Sequence, residues 1–261
     1  MELLFANPYT YLDTLLLVFT RTISIMIMMP FLSNRSIPAI AKIALGFFCS
    51  VILINIVPPL SVDGTFTLVD YAVLIIKESA TGWMLGFGAY IVFAILTLAG
   101  QFIDYQIGFS MVNVFDPMSQ TQLTITGNFY YFTFLLIFLV TRSYSYIFRA
   151  LKTSYQFIPI GRITPSDALY VSLIEYFNTF FLLALQIAAP IFFVMLVTNV
   201  VLGILARTVP QLNMFVVGFP IKIILGLFIL YFTLALFDNV SEIIIREIKL
   251  MMDMLIRGMA P

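Results

Sequence analysis

At 261 residues, with 62% hydrophobic and 10% charged side chains and a mean hydropathy of +1.07, the chain lies far below the roughly 25% charged content of soluble domains. That excludes an ordinary cytosolic globule and points to a membrane-class, all-α bundle, with no composition shift to mark a second domain. Thirteen basic residues balance thirteen acidic ones, so the charge gives no sign of a nucleic-acid partner.

Apolar windows long enough to span a bilayer, roughly 20 residues, fall near 12–32, 39–60, 80–103, 124–148, 168–205 and 209–237. The start, MELLFANPYTYLDTLLLVF, carries Glu2 and Asp13 and lacks a basic n-region. The first apolar run is therefore expected to be retained rather than cleaved. Pro30 and Pro38 bracket the first connection. Cys49, in the second run, is the sole cysteine and cannot form an internal disulfide. Pro58-Pro59 and Asp63-Gly64 make the next turn. From Thr65 to Phe115 there is no proline, so one long helical stretch is predicted, with Lys77-Glu78 inside it. Gly82 and Gly86 form a small-xxx-small pair. It suits either a close helix contact or the ordinary abundance of glycine in apolar helices. Further on, Gln101, Asp104 and Ile107 share a helix face. In a chain that works alone this is a helix end leaving lipid; in a complex it is a polar stripe facing partner helices.

The connection at 108–123 reads GFSMVNVFDPMSQTQL. A link between two membrane-type helices could be short and wholly polar. This one carries Phe109, Met111, Val112, Val114 and Phe115 before Asp116-Pro117 turns the chain, and only then Ser119, Gln120, Thr121 and Gln122. The segment Phe157-Ile-Pro-Ile-Gly161 begins a loop that ends at Thr164-Pro165-Ser166-Asp167, a helix start with a Ser or Asp cap. The run 168–205 would be about 57 Å long as one helix, against a hydrocarbon core of about 30 Å; Pro190 is expected to kink or split it. Pro210, Gly218 and Pro220 predict a shaped break in the last apolar segment, which Arg207 and Lys222 flank. Arg207 reads as a snorkelling helix-end charge. Lys222, between apolar residues, should pair with an acid or a carbonyl or lie outside the hydrocarbon. In the tail, Ile243, Ile244, Ile248, Met251, Met252 and Leu255 recur near helical spacing, with Glu242, Arg246, Lys249 and Asp253 between them. That is an amphipathic helix lying on something rather than spanning.

Charge placement conflicts with a plain six-helix bundle. Arg35 and Lys42 mark the first connection as cytoplasmic, and Arg142, Arg149, Lys152 and Arg162 mark 142–162 likewise. With six simple spans these regions fall on opposite sides. Either one run is not a true span, or the helices do not all sit in lipid.

Chemistry is conspicuous by what is missing. There is no histidine, so a Ser-His dyad and a His-ligated metal site are both impossible. Ser110 has no nucleophile elbow around it, and no phosphate-binding loop is present. Asp104, Asp116 and Glu175 are far apart in the chain. No enzyme activity, cofactor or metal is expected. The thirteen methionines, among them Met26, Met28 and Met29 and the tail's Met251, Met252 and Met254, read as packing.

Three blocks carry a resemblance: GQFIDYQIGFSMVNVFDPMSQTQLTITGNFYYFTFLLIFL (100–139), FIPIG (157–161) and ARTVPQLNMFVVGFPIKIILG (206–226). In order and spacing they resemble the FliR/SctT family of type III secretion export-gate membrane subunits, over essentially the whole chain. The most specific block holds Arg207, Pro210, Gln211, Asn213, Phe215, Gly218, Phe219, Pro220 and Lys222. Its Gly-Phe-Pro resembles the flagellar branch more than the virulence, or injectisome, branch. Where family members often have Asn-Gly-His, this chain reads Val140-Thr141-Arg142-Ser143, and no role is carried onto that position. The resemblance implies one all-α domain of long bent helical hairpins over 1–261. Residues to about 165 would form a FliP-like part, and about 166–261 a FliQ-like hairpin with its amphipathic tail. It implies FliP-like and FliQ-like partners in one helical hetero-oligomer, FlhB-like and FlhA-like neighbours, and unfolded export substrates. The implied place is the bacterial inner membrane at the flagellar basal body, with much of the assembly above the bilayer plane. It also implies that Gly108, Phe109, Ser110, Met111, Val112, Asn113, Val114, Phe115, Asp116 and Pro117 plug the closed channel, and that Arg207 to Lys222 serve assembly. A small secondary transporter, with its site at the helices broken by Pro190 and Pro220, is the rival from another class.

Overall fold

The computed structural model describes residues 8–34, 37–57, 67–111, 124–211 and 213–261. Several sequence expectations lie outside them: Glu2, Arg35, the Pro58-Pro59 and Asp63-Gly64 turn, residues Val112 to Pro117, and the polar run from Ser119 to Gln122. Among the described residues the chain is all-α, with eight helices and no strand. They are α1 (Pro8–Met28), α2 (Ala39–Leu53), α3 (Leu68–Ile107), α4 (Ile125–Val140), α5 (Tyr144–Phe157), α6 (Asp167–Thr208), α7 (Met214–Leu234) and α8 (Phe237–Met259).

Local chemistry sets several boundaries. Helix α3 starts on a capping box. The Thr67 N–H donates to the Asp70 carboxylate at 3.1 Å, and the Asp70 N–H returns a bond to the Thr67 hydroxyl at 3.3 Å. Between α4 and α5 the chain turns through Arg142 at φ 55°, a left-handed conformation that L side chains seldom take. The 124–148 window is thus two helices rather than one. At 15 residues, α2 is about 22 Å long, so the 39–60 window falls short of a span by length.

Pro190 does not split α6, which runs unbroken for 42 residues. Pro220 likewise sits inside a continuous α7. The break in this block is the turn after Thr208, around Pro210, and not Gly218 or Pro220. A proline removes one N–H from the ladder. In helices this long and apolar, the remaining bonds keep the helix continuous past the proline.

The chain divides into two compact units. The first comprises Met1–Val92, Arg142–Glu175 and Arg246–Pro261; the second, Phe93–Thr141 and Tyr176–Ile245. Helices α3, α6 and α8 give residues to both.

In the first unit, Gly82 and Gly86 bring α3 onto α1. A methyl group on Gly82 would stand 2.5 Å from the Arg21 carbonyl oxygen and 2.7 Å from the Ser24 Cβ; on Gly86 it would stand 2.5 Å from the Met28 Cβ. Met251, Met252 and Leu255 of α8 close over Gly88. Ile244, Ile248, Met251, Met252 and Leu255 are buried along α8, but Ile243 is 41% exposed and Ile256 and Met259 take up the stripe instead. The final carbonyls of α8 are satisfied by the turn before α6: Ser166 donates both its N–H and its hydroxyl to the Gly258 oxygen, and Thr164 N–H donates to Met259.

In the second unit, Phe93 meets Phe134, Phe138 and Tyr131 edge-on, with ring centroids 4.8, 5.4 and 5.9 Å away. Such aromatic pairs add about 0.5–1.5 kcal/mol each beyond their buried area.

Candidate functional site

The end of α3, in the second unit, is built to let the chain leave its helix sharply. The Gly108 N–H still bonds the Asp104 carbonyl at 2.9 Å, but its φ is +100°. Only glycine holds that conformation without strain. The ring of Phe219 covers the same atom: a methyl on Gly108 would lie 3.2 Å from two of its carbons. The turn closes with Met111 N–H donating to the Gly108 carbonyl at 3.1 Å.

Beyond the glycine the side chains diverge. Phe109 lines an apolar cavity of about 300 Å³ with Ile125 and Phe129 of α4 and Leu227 and Tyr231 of α7. Ser110 and Met111 line a larger cavity of about 630 Å³, together with Gln106, Asn199, Gly218 and Lys222. The structure therefore unites two stretches that are separate in the sequence, the start of the 108–117 connection and the Gly-Phe-Pro-x-Lys block. Val112, Asn113, Val114, Phe115, Asp116 and Pro117 lie outside the described residues.

The rest of the 207–222 block is laid out along the chain. Arg207 ends α6 and is exposed, as are Pro210, Gln211 and Asn213. The Asn213 carbonyl starts α7 by accepting the Val216 and Val217 N–H groups at 3.0 and 3.2 Å. Phe215 lies in the first turn of α7. Gly218 is buried, with ordinary clearance to Leu202 at 3.4 Å. Pro220 is exposed and Lys222 half-buried. Among the described residues no carboxylate stands within ion-pair distance of Lys222.

Asp104 is not a helix end emerging into solvent. It is 3% exposed. Both its carboxylate oxygens lie within reach of the Thr126 N–H, at 3.2 and 3.3 Å, in the first turn of α4.

One cluster escaped the sequence reading. In the first unit, Arg21 and Glu78 form a fully buried ion pair: Nε to Oε2 at 2.7 Å and Nη2 to Oε1 at 3.0 Å. The guanidinium also donates to the Ser154 hydroxyl and the Ile158 carbonyl, each at 3.2 Å, and lies 4.1 Å from the Tyr155 ring centroid. The Gly161 N–H donates to Glu78 at 2.9 Å. The FIPIG segment thus supplies two of the pair's backbone partners. A lone arginine inside the first apolar run was the available signal.

These arrangements pack side chains and cap helices. Among the described residues no three His, Cys, Asp or Glu side chains gather as a metal site would require.

Comparison with known proteins gives a consistent picture. The family model described as bacterial export proteins, family 1, matches residues 12–248. The flagellar biosynthetic protein FliR of Bacillus subtilis (strain 168) is 36% identical over 214 residues, covering 80% of this chain and 81% of its own. FliR of Aquifex aeolicus (strain VF5) is 29% identical over 231 residues, 87% of each chain. FliR of Escherichia coli (strain K12) is 28% identical over 229 residues, again 87% of each.

Proposed function

The chain belongs to the bacterial export proteins, family 1, as a FliR-type member, and on that premise we propose that it is a non-enzymatic subunit of the flagellar type III export gate, helping to form and plug the channel for unfolded flagellar proteins. In this reading residues to about 165 make the FliP-like part, and the remainder makes the FliQ-like hairpin and tail. Its partners are FliP-like and FliQ-like chains in one helical hetero-oligomer, with FlhB-like and FlhA-like subunits beside them, in the inner membrane at the flagellar basal body. The relatives are flagellar proteins, which favours this reading over an injectisome.

The observation that carries the proposal is the Gly108 turn. A pore wide enough for an unfolded chain leaks ions unless water is excluded, and an apolar constriction excludes it by dewetting. At the end of a 40-residue helix Gly108 turns at φ +100° beneath the Phe219 ring, and the sequence that follows it is apolar.

The test is ion conductance in cells carrying the complete gate. Deleting residues 110–115, or replacing Met111, Val114 and Phe115 with Ser, is expected to leave assembly intact while the membrane becomes leaky to small ions. Unchanged leakage with assembly confirmed would reduce the loop to a connector.

A further inference from the structure

We infer that the outward face of α5, with Lys249 of α8 beside it, is a docking surface for the phosphate headgroups of an anionic lipid bilayer. Every residue of this face belongs to the first unit. From Arg142 to Ser166 the chain carries Arg142, Arg149, Lys152 and Arg162 and neither Asp nor Glu. Those basic side chains are all exposed. Helix α5 turns Tyr146, Arg149, Lys152 and Gln156 to one side, by the three- and four-residue spacing of a helix. Its other side is held: Ile147, Ala150, Leu151, Ser154 and Tyr155 are buried, and the Arg21 guanidinium fastens the last two. The helix is thereby kept from rolling, and the basic stripe stays outward. Lys249 joins it from α8, with Nζ 3.9 Å from the centroid of the Tyr146 ring, while the Arg149 guanidinium lies 5.9 Å from the same centroid. Two cations share one ring, and among the described residues no carboxylate forms an ion pair with either. On α8, Asp253 one turn beyond Lys249 is taken by Arg257 at 2.9 Å, and Glu247, two residues before Lys249, points to another side. Like charges gathered in this way attract an anion.

The neighbouring apolar side chains decide the kind of anion. Phe157 at the end of α5 and Leu250 beside Lys249 are 47% and 57% exposed. Free phosphate gives them nothing to enter. A bilayer surface does: apolar and aromatic side chains enter the headgroup boundary, while lysine and arginine stems run along it and bring their charges to the phosphates. Tyrosine suits that level for the same reason. At 14 residues, about 21 Å, α5 is too short to span, and with its inner side buried only the basic side is left to meet lipid. Other helices of the chain are long and apolar enough to cross a membrane, so a bilayer surface lies within reach. The face needs only that membrane and stands apart from the sealing role proposed above.

The full chain, in the detergent-solubilised particle it purifies in, is titrated with a fluorescent short-chain phosphatidylglycerol and with its phosphatidylcholine counterpart. Wild type is expected to bind the first and not the second. Arg149→Gln and Lys249→Gln are each expected to weaken that binding about fivefold, and the double variant about thirtyfold, the factors that one and two basic residues at an anionic surface imply. Arg149→Lys keeps the charge and is expected to stay near wild type. Lys42→Gln, the same charge change on α2, is expected to leave binding unchanged. The substituted side chains are exposed, and elution volume checks that each particle is intact; should the double variant not assemble, the single variants decide. Equal binding of both probes, substituted particles as tight as wild type, or a loss at Lys42→Gln as large as at Arg149→Gln overturns the assignment. Displacement of the probe by inorganic phosphate at the same concentration makes the face a free-anion site. A double variant that keeps its lipid but sheds a partner subunit makes it a face for an acidic protein. Either result overturns the bilayer assignment as well.

Discussion

Arg21 is among the largest fully buried side chains of the described residues, and its five N–H donors meet five acceptor contacts from Glu78, Ser154 and Ile158. A buried pair is not by itself a strong source of stability, because desolvating two charges offsets most of their attraction. Its weight shows when one partner is removed. Arg21→Met would leave Glu78 charged, 1% exposed and short of its main partner, and is expected to destabilise the first unit by about 3–5 kcal/mol. The double variant Arg21→Met/Glu78→Gln removes that stranded charge and is expected to recover part of the loss. The thermal midpoint of the purified assembly measures both, and a single variant as stable as wild type would contradict this account. Sequence reading found Glu78 only as half of a charged dipeptide and passed over Arg21. The two lie 57 positions apart, and a lone charge in an apolar run announces a need for a partner without saying where the partner is. The FIPIG segment was noticed as a loop; that its Ile158 carbonyl and Gly161 N–H close around the pair is tertiary information.

At the scale of helices, apolar run length and single-residue rules both served unevenly: the 39–60 run holds a helix of only 15 residues, and the 124–148 run falls in two helices. The absence of proline between Thr65 and Phe115 was a sound guide to α3, and the spacing of the tail's apolar residues to α8. At Pro190 and Pro220 no break in the helix appears, because one missing bond does not end a helix of 42 or 21 residues. Glycine was ambiguous for a related reason: sequence shows a small residue but not what approaches it. Structure separates the cases. Gly82 lies against the α1 backbone, whereas Gly218 has room for a methyl 3.4 Å from Leu202 Cδ1. Gly82→Ala is therefore expected to lower stability by about 1–3 kcal/mol through overpacking. Gly218→Ala is expected to be neutral, or to gain up to about 1 kcal/mol in helix propensity. Comparing the melting midpoints of the two variants tests the assignment, and equal losses from both would show that α7 is packed as tightly as the α1–α3 seam. The start of the connection is the intermediate case. Gly108 stands in the sequence only as the first residue of the connection; its φ of +100° and its cover by Phe219, more than 100 residues away, are tertiary information.

For the molecule as a whole, the governing fact is how much apolar helix is left uncovered. Among the described residues four helices are long and apolar enough to cross a membrane, or up to five if α4 with α5 counts as one. Only 22% of the apolar stretch of α6 and 17% of that of α7 is buried, against 61% in α3. Phe193, Val200 and Ile204 of α6 and Ile224, Phe228 and Tyr231 of α7 all face outward. Helices α6 and α7 thus carry faces that a lone chain cannot bury. Large contiguous apolar surfaces mark partner or membrane contacts, and are aggregation liabilities when uncovered. Neighbouring subunits would cover these faces in the proposed gate, so the chain expressed alone is expected to be degraded or to aggregate. Expressed with its FliP-like and FliQ-like partners it is expected to accumulate and to purify in one particle. Light scattering of the detergent-solubilised particle, with its subunit composition read from a gel, measures this directly. A monodisperse, stable monomer from the chain alone would mean that lipid or detergent suffices to cover α6 and α7. The self-contained transporter, with its site near Pro190 and Pro220, would then be the better reading of the same helices.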